Sequence, residues 1–318
     1  MRILYIYRDY KGRRKMYGNM MEKCGHTVKY LRILEKKIKN QVNVIDIKRY
    51  NPDLVWILTP FYVHYKVLSN ETIDYLKRKS IPIAMYCTYI PDFPYSDMME
   101  TWGKIDYLFL QDKDMADFLR NKGLNSHYFP LAFYPEQYTK IKKTKKYDVT
   151  FMGNALTYLP VSKDKRTRYL QSLKKYNIKV YGEAFITRLK GIRTESYRGH
   201  DIQKTVYAQT RINLDIPFVN CKHDYYLDLI HWKNRSFEVP ATGNFLLTIK
   251  EPQTLELFGD DTVGFYDKNI ESLKENINKY LKDINSRKSM AKKAYKLVHE
   301  KHTFLHRFKG MFKIIGKL

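Results

Sequence analysis

Short apolar runs alternate with amphipathic stretches from the first residues of this chain, and that alternation restricts the fold more than any other feature. Ile3 to Tyr7, Val28 to Leu31, Leu54 to Leu58 (LVWIL), Ile81 to Cys87 and Tyr107 to Leu110 read as buried strands. Between them, a segment from the Gly12 turn to Cys24, then Val67 to Lys79 and Asp114 to Lys122, read as helices, with Leu68, Ile73 and Leu76 sharing one face of the second. Strand–helix alternation of this kind predicts a parallel, doubly wound α/β sheet.

The pattern restarts after a charged stretch, TKIKKTKKYD (Thr139 to Asp148), which reads as a linker. Asp148 to Met152 and Ile178 to Tyr181 are strands ending at Gly153 and Gly182, Arg211 to Ile216 is a third, and Asp164 to Tyr176 is a helix between the first two. Asn269 to Lys282 is an amphipathic helix with Asn269 as its cap, and Arg287 to Glu300 is another. The expected organisation is two Rossmann-like domains, 1–140 and 147–302, followed by a C-terminal segment, 303–318. Two such halves leave a cleft at the carboxyl ends of their strands, where open α/β folds bind ligands.

Composition bounds the partners. With 318 residues, a formal charge of +25 and 44% apolar residues, the chain can build substantial cores and favours anionic partners: phosphorylated substrates, an anionic membrane surface or nucleic acid. A lysine-rich solvated surface is the plain alternative. No helix-turn-helix, zinc finger or RNP-like signature is present, so nucleic acid is not an expected partner. The three cysteines, Cys24, Cys87 and Cys221, lie far apart and form no CxxC pair, which points to neither a disulfide scaffold nor a zinc site. The N-terminal MRILYIY reads as a strand rather than a leader, and no apolar run approaches the roughly 20 residues needed to span a bilayer. The expectation is a cytoplasmic protein, with the inner face of the membrane as a peripheral alternative.

One turn concentrates chemistry. In NRSFEVPATGNFLLT (Asn234 to Thr248), Pro240 forbids a long helix, so a short helix from Asn234–Ser236 to Gly243 is expected, feeding a strand from Phe245 to Thr248. That places Glu238 and Arg235 near a helix N-terminus that favours anions. Arg235, Ser236, Phe237 and Glu238 are therefore candidate contacts for a phosphate-bearing ligand. The plain alternative is a capped helix with a solvated glutamate. Strand ends supply further candidates in Gly153, Asn154, Gly182 and Glu183, with Lys190 and Arg193 as loop cations for a diphosphate. In the first half, the loop Cys87 to Pro94, stiffened by Pro91 and Pro94, presents Tyr89 and Asp92, the latter a candidate base. Tyr10, Gly12 and Arg13 form a second rim on that side, and His64 and His231 are further candidate bases. The paired carboxylates of Asp112 to Asp114 imitate a metal motif, but Asp114 with Asp117 reads as a helix cap, so no metal is expected. Thr303 to Leu318 is a basic amphipathic helix, its stripe of Phe304, Leu305, Phe308, Met311, Phe312 and Ile315 suited to docking on the protein or on an anionic membrane.

The order KYDVTFMGN (Lys146 to Asn154), VYGE (Val180 to Glu183), YAQTRINLDI (Tyr207 to Ile216), NRSFEVPATGNFLLT, FGDDTVGFYD (Phe258 to Asp267) and HTFLHRF (His302 to Phe308) resembles the CgeB-like glycosyltransferases, GT-B enzymes related to family 4. The resemblance covers the C-terminal half. It implies a GT-B fold, a UDP- or GDP-linked sugar donor in the C-terminal domain, and a glycan, protein or lipid-linked acceptor on the N-terminal side. It further implies a final helix that returns to the N-terminal domain, Glu238 on the ribose hydroxyls, Arg235 beside the diphosphate, and retention of anomeric configuration. Family-4 enzymes carry a second glutamate about two helical turns upstream of the first. Ile230, His231 or Asp228 stands in that place here, and His231 joins Asp92 and Arg235 as a candidate catalytic residue. Cations at a helix N-terminus would stabilise the leaving diphosphate without a metal. The alternative function is a non-catalytic GT-B-like module that binds an anionic polymer or surface layer.

Overall fold

A computed structural model describes residues 1–7, 15–33, 42–58, 67–87, 95–155, 164–196, 199–217 and 233–316. These divide into two compact units, one built from 1–130 with the chain from Phe304 onward, the other from 131–217 and 233–303. The division falls ahead of the charged stretch expected to be the linker. Tyr138, just before that stretch, is buried and donates through its hydroxyl to Gln203 Oε1 at 3.0 Å, which ties the segment to the second unit.

The first unit holds six parallel strands: β1 (Arg2–Tyr7), β2 (Thr27–Arg32), β3 (Leu54–Leu58), β4 (Ile83–Cys87), β5 (Tyr107–Leu110) and β6 (Ser126–Tyr128), in the order β2-β1-β3-β4-β5-β6. Every residue of LVWIL and of IAMYC is buried, as expected of central strands covered on both faces. The helix predicted at Val67 begins later, at Asn70, because Ser69 caps it: its Oγ accepts from the Thr72 amide at 3.1 Å.

The second unit also holds six parallel strands: β7 (Tyr147–Met152), β8 (Ile178–Tyr181), β9 (Arg193–Glu195), β10 (Thr210–Leu214), β11 (Leu246–Ile249) and β12 (Gly264–Tyr266). Their order, β12-β11-β10-β7-β8-β9, is the doubly wound order in which the first strand is central and the chain reverses direction beside it. The reversal lies between β7 and β10, whose pairing sets Leu214 opposite Phe151. Asn269 caps the helix Ile270–Lys282 as predicted, its side chain accepting from the Ser272 amide at 2.7 Å. The next helix starts a turn earlier than expected, at Ile284, because Asp283 supplies the cap.

The C-terminal helix, Phe304–Ile314, buries its apolar stripe in the first unit. Phe304 and Phe308 meet the Tyr17 ring edge-on at 5.0 and 5.9 Å, and Phe308 lies 5.5 Å from Trp56. Each such buried ring contributes roughly 1.5–3 kcal/mol by removal from water. No helix among the described residues is long and apolar enough to cross a membrane.

Candidate functional site

The carboxyl ends of β7 and β10 adjoin at the point where the sheet order reverses, and a buried polar cluster sits there. Asp215, the first residue after β10, is fully buried and accepts three bonds: Arg235 Nη2 at 2.6 Å, Arg235 Nε at 3.1 Å and Ser236 Oγ at 2.6 Å. Two of these come from one guanidinium, a geometry that suits arginine and not lysine. The guanidinium also lies over the Phe151 ring, 4.6 Å from its centroid. Glycine at 153 leaves room for this packing, since a Cβ there would stand 2.9 Å from Arg235 Nη1 and the guanidinium would have to shift. Gly182 is required in turn by Gly153: a Cβ at 182 would come 1.9 Å from the Gly153 carbonyl oxygen.

A second arginine spans the reversal point. Arg166 donates through Nε to the Ile216 carbonyl at 2.9 Å and through Nη1 to the Asn154 carbonyl at 3.0 Å. Its helix, Lys165–Ser172, is capped by the buried Asp164, which also pairs with Arg188 at 3.4 Å. Lys233 completes the group. Burial, reinforced by Arg166 and Arg235 and opposed by Asp215, lowers its ammonium to about 7. Three guanidinium groups and the Lys233 amine thus gather around two buried carboxylates, Asp164 and Asp215. Around them Gly153 is partly exposed, and Asn154 and Glu183 are exposed at neighbouring strand ends. Glu238 is only 5% exposed, and its Oε2 accepts from the buried Tyr207 hydroxyl at 3.3 Å.

The structure corrects several expectations. The helix carrying Arg235 and Glu238 is the short one expected, Arg235–Ala241, but Asn234 is itself helical with no side-chain cap. A helix this short has little macrodipole, so attraction for an anion falls to the arginine side chains. Phe237 is fully buried against Phe258 and His302 at 5.5 and 5.6 Å, which makes it a packing residue. Ser236 is equally buried and holds Asp215. Arg193 belongs to the edge strand β9, not to a loop; it bonds Asn177 Oδ1 and lies over the Tyr147 ring, at the amino ends of β7 and β8. The Lys190 backbone is fastened to Gln171 at the far end of helix Lys165–Ser172. Neither cation is therefore placed at the strand carboxyl ends. In the first unit the cap of helix Lys113–Asn121 is Asp112, not Asp114: Asp112 Oδ1 accepts the Met115 amide at 2.9 Å, and Asp117 pairs with Arg120.

Tyr10, Gly12, Arg13, His64, Tyr89, Asp92, Asp228, Ile230 and His231 lie outside the described residues. Sequence reasoning missed Asp215, Arg166, Arg188, Lys233 and Tyr207. One signal was available: Asp215 is the single carboxylate in the apolar run of YAQTRINLDI, at a strand's carboxyl end.

A family model described as glycosyl transferase-like matches residues 165–313, which carry Arg166, Asp215, Arg235 and Glu238. No curated protein matches the chain. Among solved structures, sucrose-phosphate synthase from Thermosynechococcus elongatus is similar with a TM-score of 0.69 at 8% identity, covering 99% of each chain. HepE of Anabaena, solved in complex with UDP-glucose, gives 0.67 at 11% identity with 100% of both chains covered. A UDP-forming trehalose-phosphate synthase from Burkholderia vietnamiensis gives 0.61 at 10% identity, covering 99% of this chain and 100% of that one. The fold is that of GT-B glycosyltransferases: two parallel six-stranded α/β units along a single chain.

Proposed function

We propose that this protein is a glycosyltransferase that takes its sugar from a nucleotide-sugar donor bound by the second unit. The observation that carries this reading is the cation cluster of Arg166, Arg188, Lys233 and Arg235 at the reversal point of the second sheet, with Glu238 in the same short helix as Arg235. Open α/β sheets bind nucleotides at that point. A diphosphate carries charge that grows as the sugar leaves, and preorganised cations stabilise it without moving. Glu238, an acceptor-only group when ionised, suits the two ribose hydroxyls. The family model spans this region, and structural relatives were solved with UDP or UDP-sugars.

In this reading the cations meet the leaving charge without a resident metal, the sugar is transferred with retention, and the acceptor is a glycan, protein or lipid-linked sugar taken on the side of the first unit. The protein works in the cytoplasm or against the inner face of the membrane. A thermal-shift panel of UDP-, GDP- and CMP-sugars tests the donor, because a ligand that binds only the folded state raises Tm. At least one member is expected to raise Tm and to be hydrolysed slowly without acceptor, with nucleotide release lost in Glu238→Ala. No shift with any member would sink the reading. Binding without turnover would favour a non-catalytic module instead.

A further inference from the structure

The second unit carries a basic groove at the opposite end of its sheet from the cluster just described. Lys145 precedes β7, Arg211 is the second residue of β10 and Phe245 precedes β11, so the groove lies where the strands begin. Its volume is about 440 Å³, and Lys140, Lys145, Arg211, Arg287, Lys288 and Lys292 line it. No carboxylate is among the lining residues. The nearby acids are committed: Asp148 pairs with Arg211 at 2.7 Å, and Asp283 caps the helix Ile284–Lys301.

Assembling these cations works against stability, because like charges repel and buried ones lose hydration. Lys145 is exposed over the residue as a whole, yet its Nζ turns inward onto the Ala208 carbonyl at 2.9 Å, the Thr210 carbonyl at 2.7 Å and Asn244 Oδ1 at 3.2 Å. All three acceptors are uncharged. Burial, with Arg287 and Arg211 adding to it, lowers this ammonium to about 8. Arg287 is 9% exposed and is held on the Tyr280 and Leu281 carbonyls. Lys288 and Lys292 are exposed, one turn apart, and form no ion pair among the described residues. Between the cations the wall is apolar, formed by Phe245, Ala291 and Ile284, the last 50% exposed.

We propose that this groove binds the phosphate group of a small organic phosphoester, with the cations on the phosphate and the Phe245–Ile284 wall against its carbon skeleton. Fixed charge and mobile donors are both present. Lys145 spends its three N–H groups on its own acceptors and contributes charge alone, Arg287 is anchored through Nη1, and Lys288 and Lys292 can close on the anion from the rim. The volume suits a single phosphoester and excludes a folded polymer. A free metabolite and the headgroup of an acidic lipid offer the same chemistry.

Calorimetric titration with glycerol 3-phosphate, and co-sedimentation with vesicles containing phosphatidic acid, separate the two sources. Each is run with UDP saturating, so that the donor side is occupied. Binding is expected to persist under UDP, to fall at least tenfold in Lys288→Glu/Lys292→Glu, and to be little changed in Lys77→Glu/Arg78→Glu, which alters charge equally on exposed residues of the first unit. Response to the soluble ester assigns the groove to a metabolite; response to vesicles alone, lost in the same variant, assigns it to a lipid headgroup. Binding in neither arm, full competition by UDP, or equal loss in both variants would overturn the proposal. The UDP-induced Tm shift of Lys288→Glu/Lys292→Glu reports separately on the donor side, so the two readings fail independently.

Discussion

The Asp215–Arg235 pair is the structural centre of the proposed donor side, and removing either member should cost far more than removing both. Asp215 is fully buried, and Arg235 is 8% exposed. In Asp215→Ala the guanidinium keeps the Phe151 ring but loses two bonds, at 2.6 and 3.1 Å, and Ser236 Oγ loses its acceptor. Breaking a buried pair from one side typically costs about 3–5 kcal/mol. At roughly 2–4 °C per kcal/mol for a unit of this size, Tm should fall by roughly 6–20 °C. Arg235→Met should cost a similar amount, since it strands a buried carboxylate. The double variant removes both charges together and should be milder than either single one, which requires a coupling energy larger than either single loss, at least about 3 kcal/mol. Scanning calorimetry is the suitable assay because it can resolve the transition of the second unit from that of the first. Strictly additive losses, or single variants within about 1 kcal/mol of the parent, would refute the reasoning.

Two further outcomes follow from the geometry. Gly182→Ala would drive a Cβ to 1.9 Å from the Gly153 carbonyl, so the backbone must move; a loss of about 1–3 kcal/mol in stability is expected, together with weaker UDP binding by titration. Asp112 caps a helix while buried, and burial, with Asp114 adding to it, raises its carboxyl from 3.8 to about 6 against the opposing amide bonds of Met115 and Asp114. The folded state then binds more protons than the unfolded chain between these two values, so stability falls as pH rises from 3.8 to about 6. Asp112→Asn, which keeps a capping oxygen, should remove that dependence, worth up to roughly 3 kcal/mol; parallel slopes of urea stability across this window would contradict it.

The architecture was legible because parallel strands buried on both faces write themselves as unbroken apolar runs such as LVWIL and IAMYC. The strands that escaped notice, β6, β12 and β9, are three-residue sequences at sheet edges, and β9, RTE, has no apolar run to announce it. Its pairing with β8 moved Arg193 from a supposed ligand loop to the wrong end of the sheet. Gly153, Gly182, Arg235 and Glu238 were nominated from local chemistry, because a glycine at a strand end and a lone acid in an apolar turn are visible one segment at a time. Asp215 and Arg166 were not. Their significance arises only when β10 lies beside β7, a partnership between segments some 60 residues apart. Phe237 shows the converse limit, since a contact list taken from adjacency in sequence includes the residue that the helix turns into the core.

The most direct test of the donor-site assignment is a crystal structure with UDP bound. The account predicts the diphosphate at the carboxyl ends of β7 and β10, within reach of the Arg235–Lys233–Arg166 cluster, and the ribose hydroxyls within about 3.2 Å of the Glu238 carboxylate. Nucleotide seated elsewhere on the chain, or a ribose that Glu238 does not touch, would contradict it.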